Sequence, residues 1–192
     1  PRGPGNQHQP AALYNAMIAP LTPFPIRGVI WYQGENNANT RHGYLYERLF
    51  KTMIQSWRDK WHSGALPFLF VQLANYGRVP ETSQWPELRE SQTKTLGLAD
   101  TGMAVTIDVG NPVDIHPTNK QDVGKRLALA ARSIAYGEGD LVYSGPMYRQ
   151  FTTENGKLKL WFDHVGSGLV LRNAGKGFQV AGPDGRFHAA DA

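Results

Sequence analysis

The chain has 192 residues, of which 41% are apolar and 19% are charged, and its formal net charge is +4 at pH 7. These values are typical of a folded domain and exclude an intrinsically disordered chain, while the absence of cysteine excludes disulfides, cysteine-ligated zinc and thiol catalysis. The basic residues are scattered, and no apolar run reaches the roughly 18 residues of a membrane span. We therefore expect neither nucleic-acid nor membrane partners.

The hydrophobic pattern predicts four helices that alternate with three strands. The predicted helices span residues 11–19, 42–61, 85–98 and 118–137, and the predicted strands span residues 26–32, 68–73 and 103–109. Residues 29–31 form a continuous apolar run, which is typical of a strand buried on both faces. Thr118 and Gln121 match a capping box at the start of the fourth helix. The alternation predicts a parallel sheet with crossover helices on both faces.

The pattern changes near residue 141. Short apolar segments at residues 158–162, 169–171, 177–180 and 186–188 alternate with turns rich in glycine and aspartate. This spacing predicts antiparallel strands. We therefore expect an α/β domain over residues 1–140 and an antiparallel β segment, part of an incomplete β domain, over residues 141–192. The first ten residues indicate a loop rather than a natural start, which predicts a fragment of a longer protein.

Polar side chains follow each of the three predicted strands. They are Gln33, Gly34 and Glu35 after the first strand, Gln72, Asn75 and Tyr76 after the second, and Asp108, Asp114 and His116 after the third. In open parallel sheets, ligands bind beyond the carboxyl ends of the strands. We therefore expect a functional site where these three groups meet.

His116 is a candidate general base. It lies in a loop between a strand and a helix, and an imidazole there can accept a proton near neutral pH. Asp114, two residues earlier, could orient that imidazole as the acid of a catalytic triad does. The alternative is an ordinary loop histidine at the start of a helix.

The segment from Gln33 to Asn37 is the second candidate. Gly34 permits a close backbone approach, and amide donors such as Gln33 and Asn36 at a strand end can stabilise a developing oxyanion. Glu35 could position a base or a sugar hydroxyl. The alternative is that this segment forms a simple polar turn.

No serine has the setting of a nucleophile. None of the seven follows a buried strand and opens a helix, and Ser167 lacks the glycine two residues earlier that a nucleophile elbow needs. The six histidines show no metal-ligand spacing. We therefore expect no metal or other cofactor, and no nucleophilic serine within this sequence.

Five short motifs stand in a characteristic order along residues 6–150. They are Pro10–Ile18, Gly28–Glu35, Ser56–Arg58, Pro67–Ala74, and Ile115–Pro117 followed by Lys120 and Gly124. In order and spacing they resemble the sialate O-acetylesterase family, which belongs to the SGNH-type hydrolases. The later segments around residues 160–162 and 177–178 resemble the β region that follows the catalytic core in this family.

The resemblance implies a flavodoxin-like α/β/α sandwich that removes acetyl groups from sugar hydroxyls without a metal. It implies that His116 is the catalytic histidine and that Gln33, Gly34 and Glu35 form the block near the oxyanion hole. We therefore expect an acetylated carbohydrate as substrate and a periplasmic or secreted protein.

The sequence departs from the family pattern at two places. The family's serine lies in a Gly-Gln-Ser-Asn-type motif that is absent here, so we expect it on an upstream segment or a second chain. The wider superfamily has an aspartate three residues before the histidine, where this chain has Val113. Asp114, Glu35 and a backbone carbonyl therefore all stay open as the group that orients His116.

Two other classes of protein stay open from the sequence. A glycosidase would use two carboxylates, such as Glu35 with Asp108 or Asp114. A non-catalytic carbohydrate-binding fragment would instead use aromatic stacking surfaces, for which the candidates are Trp31, Tyr32, Tyr76 and Trp85. Core packing is the alternative for these aromatic residues, and we favour it for Trp31.

Overall fold

The computed structural model describes residues 6, 9–39, 42–77, 84–172 and 175–192. Ser83 and the first five residues, which the sequence assigns to loops, lie outside these ranges. The chain divides into two compact units between Ser144 and Gly145. No helix in the described ranges combines the length and the hydrophobicity that a membrane crossing requires.

The first unit is built on a three-stranded parallel sheet in the order β1-β2-β3. The strands are β1 (Val29–Trp31), β2 (Phe68–Val71) and β3 (Thr101–Ala104). The α-helices are α1 (Glu35–Asn39), α2 (Tyr46–Lys60), α3 (Trp85–Thr95) and α4 (Lys120–Ile134), and shorter helical turns span Tyr14–Ile18, Ala19–Leu21 and Gly43–Leu45. The predicted α/β fold class with a parallel sheet is confirmed.

The central strand β2 is buried on both faces, because helices cover it from each side. Phe70 contacts Phe50 of α2 with ring centroids 5.1 Å apart, so the face of the sheet that carries Phe70 packs against α2. Leu69 and Val71 face the opposite way and pack in a buried cluster with Val123, Leu127 and Ala130 of α4. The alternation of side chains along one strand therefore builds two separate cores.

The prediction that residues 29–31 are buried on both faces is wrong for Ile30, which is 70% exposed. Ile30 pairs with Leu69 and so points to the face that α4 covers. However, α4 packs over β2 and β3, while β1 lies at the sheet edge. Among the described residues, nothing buries this side chain.

Two further boundaries differ from the predictions. The third strand begins at Thr101 and ends at Ala104, because Thr101 and Gly102 pair with β2, and the chain turns at Thr106 instead of continuing to residue 109. The cap of α4 is Asn119, whose side chain accepts a hydrogen bond from the Asp122 amide at 3.2 Å. The predicted capping box is therefore wrong by one residue.

The second unit consists of two antiparallel pairs. Strand β4 (Met147–Glu154) pairs with β5 (Lys157–Asp163), and β6 (Phe178–Ala181) pairs with β7 (Phe187–Ala190). The sequence pattern missed β4, whose residues are mostly exposed and carry no clear alternation. The strand predicted at residues 169–171 does not form.

Candidate active site

The predicted site residues follow the carboxyl ends of all three parallel strands. Gln33 lies two residues after the end of β1, and α1 starts at Glu35. Asn75 and Tyr76 lie in the loop after β2, and the loop between β3 and α4 carries His116. Because parallel strands end at the same edge, the sheet presents these loops on one side of the first unit.

Gly34 stands at a tight turn of this edge. Its φ angle is +149°, in the region that favours glycine. A Cβ atom there would lie 2.8 Å from Cδ2 of Leu88, 3.3 Å from Nε2 of Gln92 and 3.4 Å from Cγ of Leu73. The turn from β1 into α1 therefore needs glycine for both its backbone angle and its packing.

The Gln33 side chain is held by a hydrogen-bonded chain that begins in the core. Trp31 Nε1 donates to the Tyr46 hydroxyl at 3.2 Å. That hydroxyl lies 3.0 Å from Gln33 Oε1 and 3.1 Å from the Gln33 carbonyl oxygen. Gln33 Nε2 in turn donates to Asn37 Oδ1 at 2.9 Å, across the first turn of α1. Both ends of the Gln33 amide are thus fixed.

Gln92 of α3 ties the ends of β1 and β2 together. This side chain is 1% exposed, and its Oε1 accepts from the Leu73 amide at 2.9 Å. Its Nε2 donates to the carbonyls of Val71 at 3.2 Å and Gln33 at 3.3 Å. A buried amide with all its groups satisfied rigidifies its surroundings, so the backbone beneath Gln33 is held in place.

Burial determines the protonation state of the two tyrosines at this edge. Burial, opposed by hydrogen bonds and reinforced by the charge of Glu35, raises the pKa of Tyr46 to about 12. Burial and the Glu35 charge also raise the pKa of Tyr32. The Tyr46 hydroxyl is therefore a neutral hydrogen-bond donor over the whole physiological pH range.

His116 and Asp114 lie together at the opposite side of the edge. Asp114 Oδ1 accepts a hydrogen bond from the His116 amide at 2.8 Å and stands 3.6 Å from His116 Nδ1. Asn111 Oδ1 accepts from the amides of Val113 at 2.9 Å and Asp114 at 3.3 Å, which shapes the turn before them. The His116 side chain is 88% exposed, so its Nε2 edge is open to a reacting group.

An arginine of α4 fastens the start of this loop. Arg126 makes two hydrogen bonds to the Asp108 carboxylate, at 2.6 and 2.7 Å, and a third to the Val105 carbonyl at 2.6 Å. The hydrogen bonds from Arg126 lower the pKa of Asp108 below its ordinary value. Asp108 is therefore an ionised partner of a structural arginine at neutral pH.

The loops after β2 and β3 are also joined to each other. The Gly110 amide donates to Asn75 Oδ1 at 2.8 Å, and the Gly77 amide donates to the Pro112 carbonyl at 2.9 Å. A Cβ atom at position 110 would collide with the backbone of Asn75. Glycine at this position therefore permits the close contact of the two loops.

Lys120 connects the two groups of candidate residues. It is the first residue of α4, four positions after His116, and its Nζ lies 4.8 Å from the ring centroid of Tyr32. Tyr32 immediately precedes Gln33. This cation–π contact brings the loop that carries His116 near the end of β1.

The structure thus groups the predicted residues in two sets, Gln33 with Gly34 and His116 with Asp114. Glu35 begins α1 and acts on both tyrosines through its charge, and Asn36 follows it on the exposed side of the helix. The sequence reasoning gave no supporting role to the residues that hold these groups, which are Tyr46, Gln92, Gly110, Lys120 and Arg126. Within the described ranges, no three His, Asp or Glu residues are grouped to hold a metal ion.

In an open α/β sheet, a polar edge of this kind is the usual position of a ligand-binding or active site. Comparison with known proteins identifies the family. Residues 6–133 match the family model "Carbohydrate esterase, sialic acid-specific acetylesterase". The chain belongs to this family of carbohydrate esterases.

Curated relatives and a solved structure agree with this assignment. Sialate O-acetylesterase of Rattus norvegicus is 38% identical over 89% of this chain and 35% of its own length, and that of Mus musculus is 39% identical over 80% and 32%. The crystal structure of a carbohydrate acetylesterase from Xanthomonas citri is 53% identical, with a TM-score of 0.83 over 93% of this chain and 42% of that one. The chain spans about a third of the length of the curated relatives it matches.

Proposed function

We propose that this chain supplies the histidine and oxyanion part of a carbohydrate O-acetylesterase, which hydrolyses acetyl esters on sugar hydroxyls. The observation that carries the proposal is the single sheet edge, where a fixed Gln33 amide follows β1 and an exposed His116, paired with Asp114, follows β3. Membership of the carbohydrate esterase family supports this reaction class and an acetylated sugar as substrate.

The mechanism needs a nucleophilic serine from an upstream segment or a second chain. Its hydroxyl oxygen attacks the acetyl carbonyl carbon while His116 Nε2 accepts the hydroxyl proton. His116 then passes this proton to the sugar oxygen as the ester bond breaks. Water, deprotonated by the same imidazole, attacks the acyl carbon, the serine ester bond breaks to release acetate, and the imidazolium returns its proton to the serine oxygen. The Gln33 amide and neighbouring backbone N–H groups hold the negative oxygen of each tetrahedral intermediate.

Asp114 is the acid that we propose for orienting His116. Its Oδ1 stands 3.6 Å from Nδ1 and also accepts the His116 amide at 2.8 Å. A carboxylate on Nδ1 leaves Nε2 to face the serine and stabilises the imidazolium that forms. Glu35 acts through its charge near the tyrosines, so we propose an electrostatic role for it.

The open edge of β1 is where we propose that the serine-bearing segment packs. Strand β1 lies at the sheet edge, and the described residues leave Ile30 70% exposed. A further parallel strand beside β1, with its crossover helix on the face that α4 covers, would bury Ile30 and would end at the same carboxyl edge as Gln33. Such a segment would also place its serine beside the oxyanion group.

The glycosidase alternative is weaker than the esterase. A glycosidase needs one carboxyl group that carries a proton at neutral pH. The two hydrogen bonds from Arg126 lower the pKa of Asp108 and keep it ionised. Asp108 therefore cannot serve as that general acid, and release of sugar rather than acetate by the full-length protein would restore this alternative.

The binding-module alternative loses two of its four stacking surfaces. Trp85 is 4% exposed and donates to the Ala74 carbonyl at 3.0 Å, so the stacking prediction for this residue is wrong. Trp31 stacks on Phe50 at 5.8 Å within the core, as we favoured. Tyr32 and Tyr76 stay as half-buried rings at the edge. Carbohydrate binding without acetate release would support this alternative.

The decisive experiment replaces His116 by alanine in the full-length protein. We expect acetate release from an O-acetylated sugar and from p-nitrophenyl acetate to fall roughly 10³-fold or more, because the serine loses its base. The matched control is His62→Asn, at the exposed end of α2, where φ is +52° and asparagine is tolerated. Near-normal turnover in His116→Ala would refute the assignment.

We also propose a periplasmic or secreted location, where acetylated polysaccharides and glycoconjugates are met. Fractionation of the source cells, followed by detection of the protein with an antibody, tests this proposal. Recovery with the cytoplasmic fraction alone would overturn it.

A further inference from the structure

The buried hydroxyl of Tyr46 lies between the core and the Gln33 amide. Tyr46 is 3% exposed, and its ring contacts Phe50 with centroids 5.4 Å apart. Trp31 Nε1 can only donate, so in its 3.2 Å contact the Tyr46 oxygen is the acceptor. The single Tyr46 proton is then directed to the other side, where both Gln33 oxygens lie.

The two oxygens of Gln33 differ in their other partners. The main-chain oxygen already accepts from Gln92 Nε2 at 3.3 Å, whereas Oε1 has the Tyr46 hydroxyl, at 3.0 Å, as its donor. The proton of Tyr46 therefore has its main role at Oε1. Because burial raises the pKa of Tyr46 to about 12, this donor is not lost by ionisation near neutral pH.

Fixing Oε1 also fixes the nitrogen of the same amide. A glutamine amide is planar, so Nε2 must point away from Tyr46 and carries two N–H donors. One of them binds Asn37 Oδ1 at 2.9 Å, and the second is left to bind another acceptor. Gln33 is half-buried at the site edge, so this second N–H can reach a ligand.

We propose that Tyr46 is a positioning residue, whose buried hydroxyl orients the Gln33 amide so that an Nε2 N–H meets the developing oxyanion of the acetyl ester. This inference rests on the proposed function. It adds the group that makes the Nε2 end of the Gln33 amide, and not Oε1, face the substrate. Without that hydroxyl the amide can turn over and present Oε1, which would repel the oxyanion. Preorganised donors contribute most because they need no reorganisation during the reaction.

The test uses Tyr46→Phe in the full-length protein, which removes one oxygen and keeps the ring against Phe50. We expect kcat for p-nitrophenyl acetate to fall about tenfold with KM nearly unchanged, because the defect appears in the transition state. Thr101→Val is the matched control, since it removes a hydroxyl that donates to the Leu98 carbonyl at 2.6 Å at the amino end of β3. This control should keep wild-type kcat.

A double-mutant cycle separates positioning from a general loss of stability. Gln33→Ala alone should lower kcat about 10²-fold, as expected for loss of an oxyanion donor. If Tyr46 acts through Gln33, adding Tyr46→Phe to Gln33→Ala should change kcat less than about twofold. A full additional tenfold loss in the double variant, or wild-type kcat in Tyr46→Phe, would overturn the proposal.

A crystal structure of the Tyr46→Phe protein gives a readout that does not depend on activity. We expect the Gln33 side chain to lose its single orientation. If the wild-type protein released no acetate, the proposed function would fail, and this structure would still decide the positioning role. An unchanged Gln33 amide, still bound to Asn37, would refute the positioning role of Tyr46.

Discussion

Position 34 requires glycine for two separate reasons. Its φ of +149° favours glycine, and Leu88 leaves no room for a Cβ atom. We expect Gly34→Ala to lower the free energy of unfolding by about 2 kcal/mol or more, from backbone strain together with overpacking. Urea unfolding of the full-length protein measures this change. A loss below about 0.5 kcal/mol would show that the turn can relax.

Gly124 gives the opposite expectation and serves as the control. It lies in the interior of α4, and a Cβ atom there meets nothing within 4 Å. We expect Gly124→Ala to raise the free energy of unfolding by about 0.5–1 kcal/mol, since alanine loses less conformational entropy in a helix. The same urea titration compares both glycine variants.

The ion pair of Asp108 and Arg126 predicts a pH-dependent contribution to stability. Because the folded-state pKa of Asp108 lies below its ordinary 3.8, the contribution is present above that pH and is lost as pH falls through the folded-state pKa. Both side chains are partly exposed, so Asp108→Asn should cost under about 1 kcal/mol at pH 7. Calorimetry should find the difference in Tm smaller at pH 3. A constant difference would contradict the linkage.

At the scale of the elements, periodicity locates helices and strands but not their caps and ends. The strand β2 and the helices α2 and α3 were predicted within a few residues, because their apolar spacing reflects burial directly. The end of β3 was misplaced, because residues 105–109 have the apolar character of a strand. In the structure they form a turn that side-chain hydrogen bonds hold in place. The short α1 was not predicted, and a polar turn was only the alternative for its first residues.

The sequence could predict the residues that we propose as reacting groups but not the residues that support them. Gln33 and His116 stand out because they are polar residues beyond buried strands. Tyr46 and Gln92 occupy core positions of helical patterns, and their bonds to Gln33 join residues 13 and 59 positions apart. No local pattern records such contacts, so side-chain support for a site appears first in the folded chain.

The observed N-cap of α4 is one residue later than the predicted one. Asn119 accepts from the Asp122 amide, whereas Thr118 is exposed. We expect Asn119→Ala to cost about 1 kcal/mol of stability and Thr118→Ala to cost close to nothing. Thermal unfolding of the two variants gives the comparison. The reverse order would show that the helix begins one residue earlier in solution.

At the scale of the whole molecule, the exposed face of β1 bears on how the complete protein is assembled. If the serine-bearing segment covers β1, Ile30 is buried in the full-length protein and Ile30→Asn should cost roughly 2 kcal/mol or more. Val113, which is 86% exposed here, provides the control Val113→Asn, with little expected change. Equal, small effects of both variants would mean that the segment packs elsewhere.

The contact of Gly110 with Asn75 has a consequence for engineering the proposed esterase. Loops beyond the strands are the usual targets when the specificity of an α/β enzyme is altered. Here the segment 75–77 and the segment 110–112 share two hydrogen bonds and leave no space for a side chain between them. They therefore behave as one exchangeable module, and a graft from a related esterase should carry both segments together.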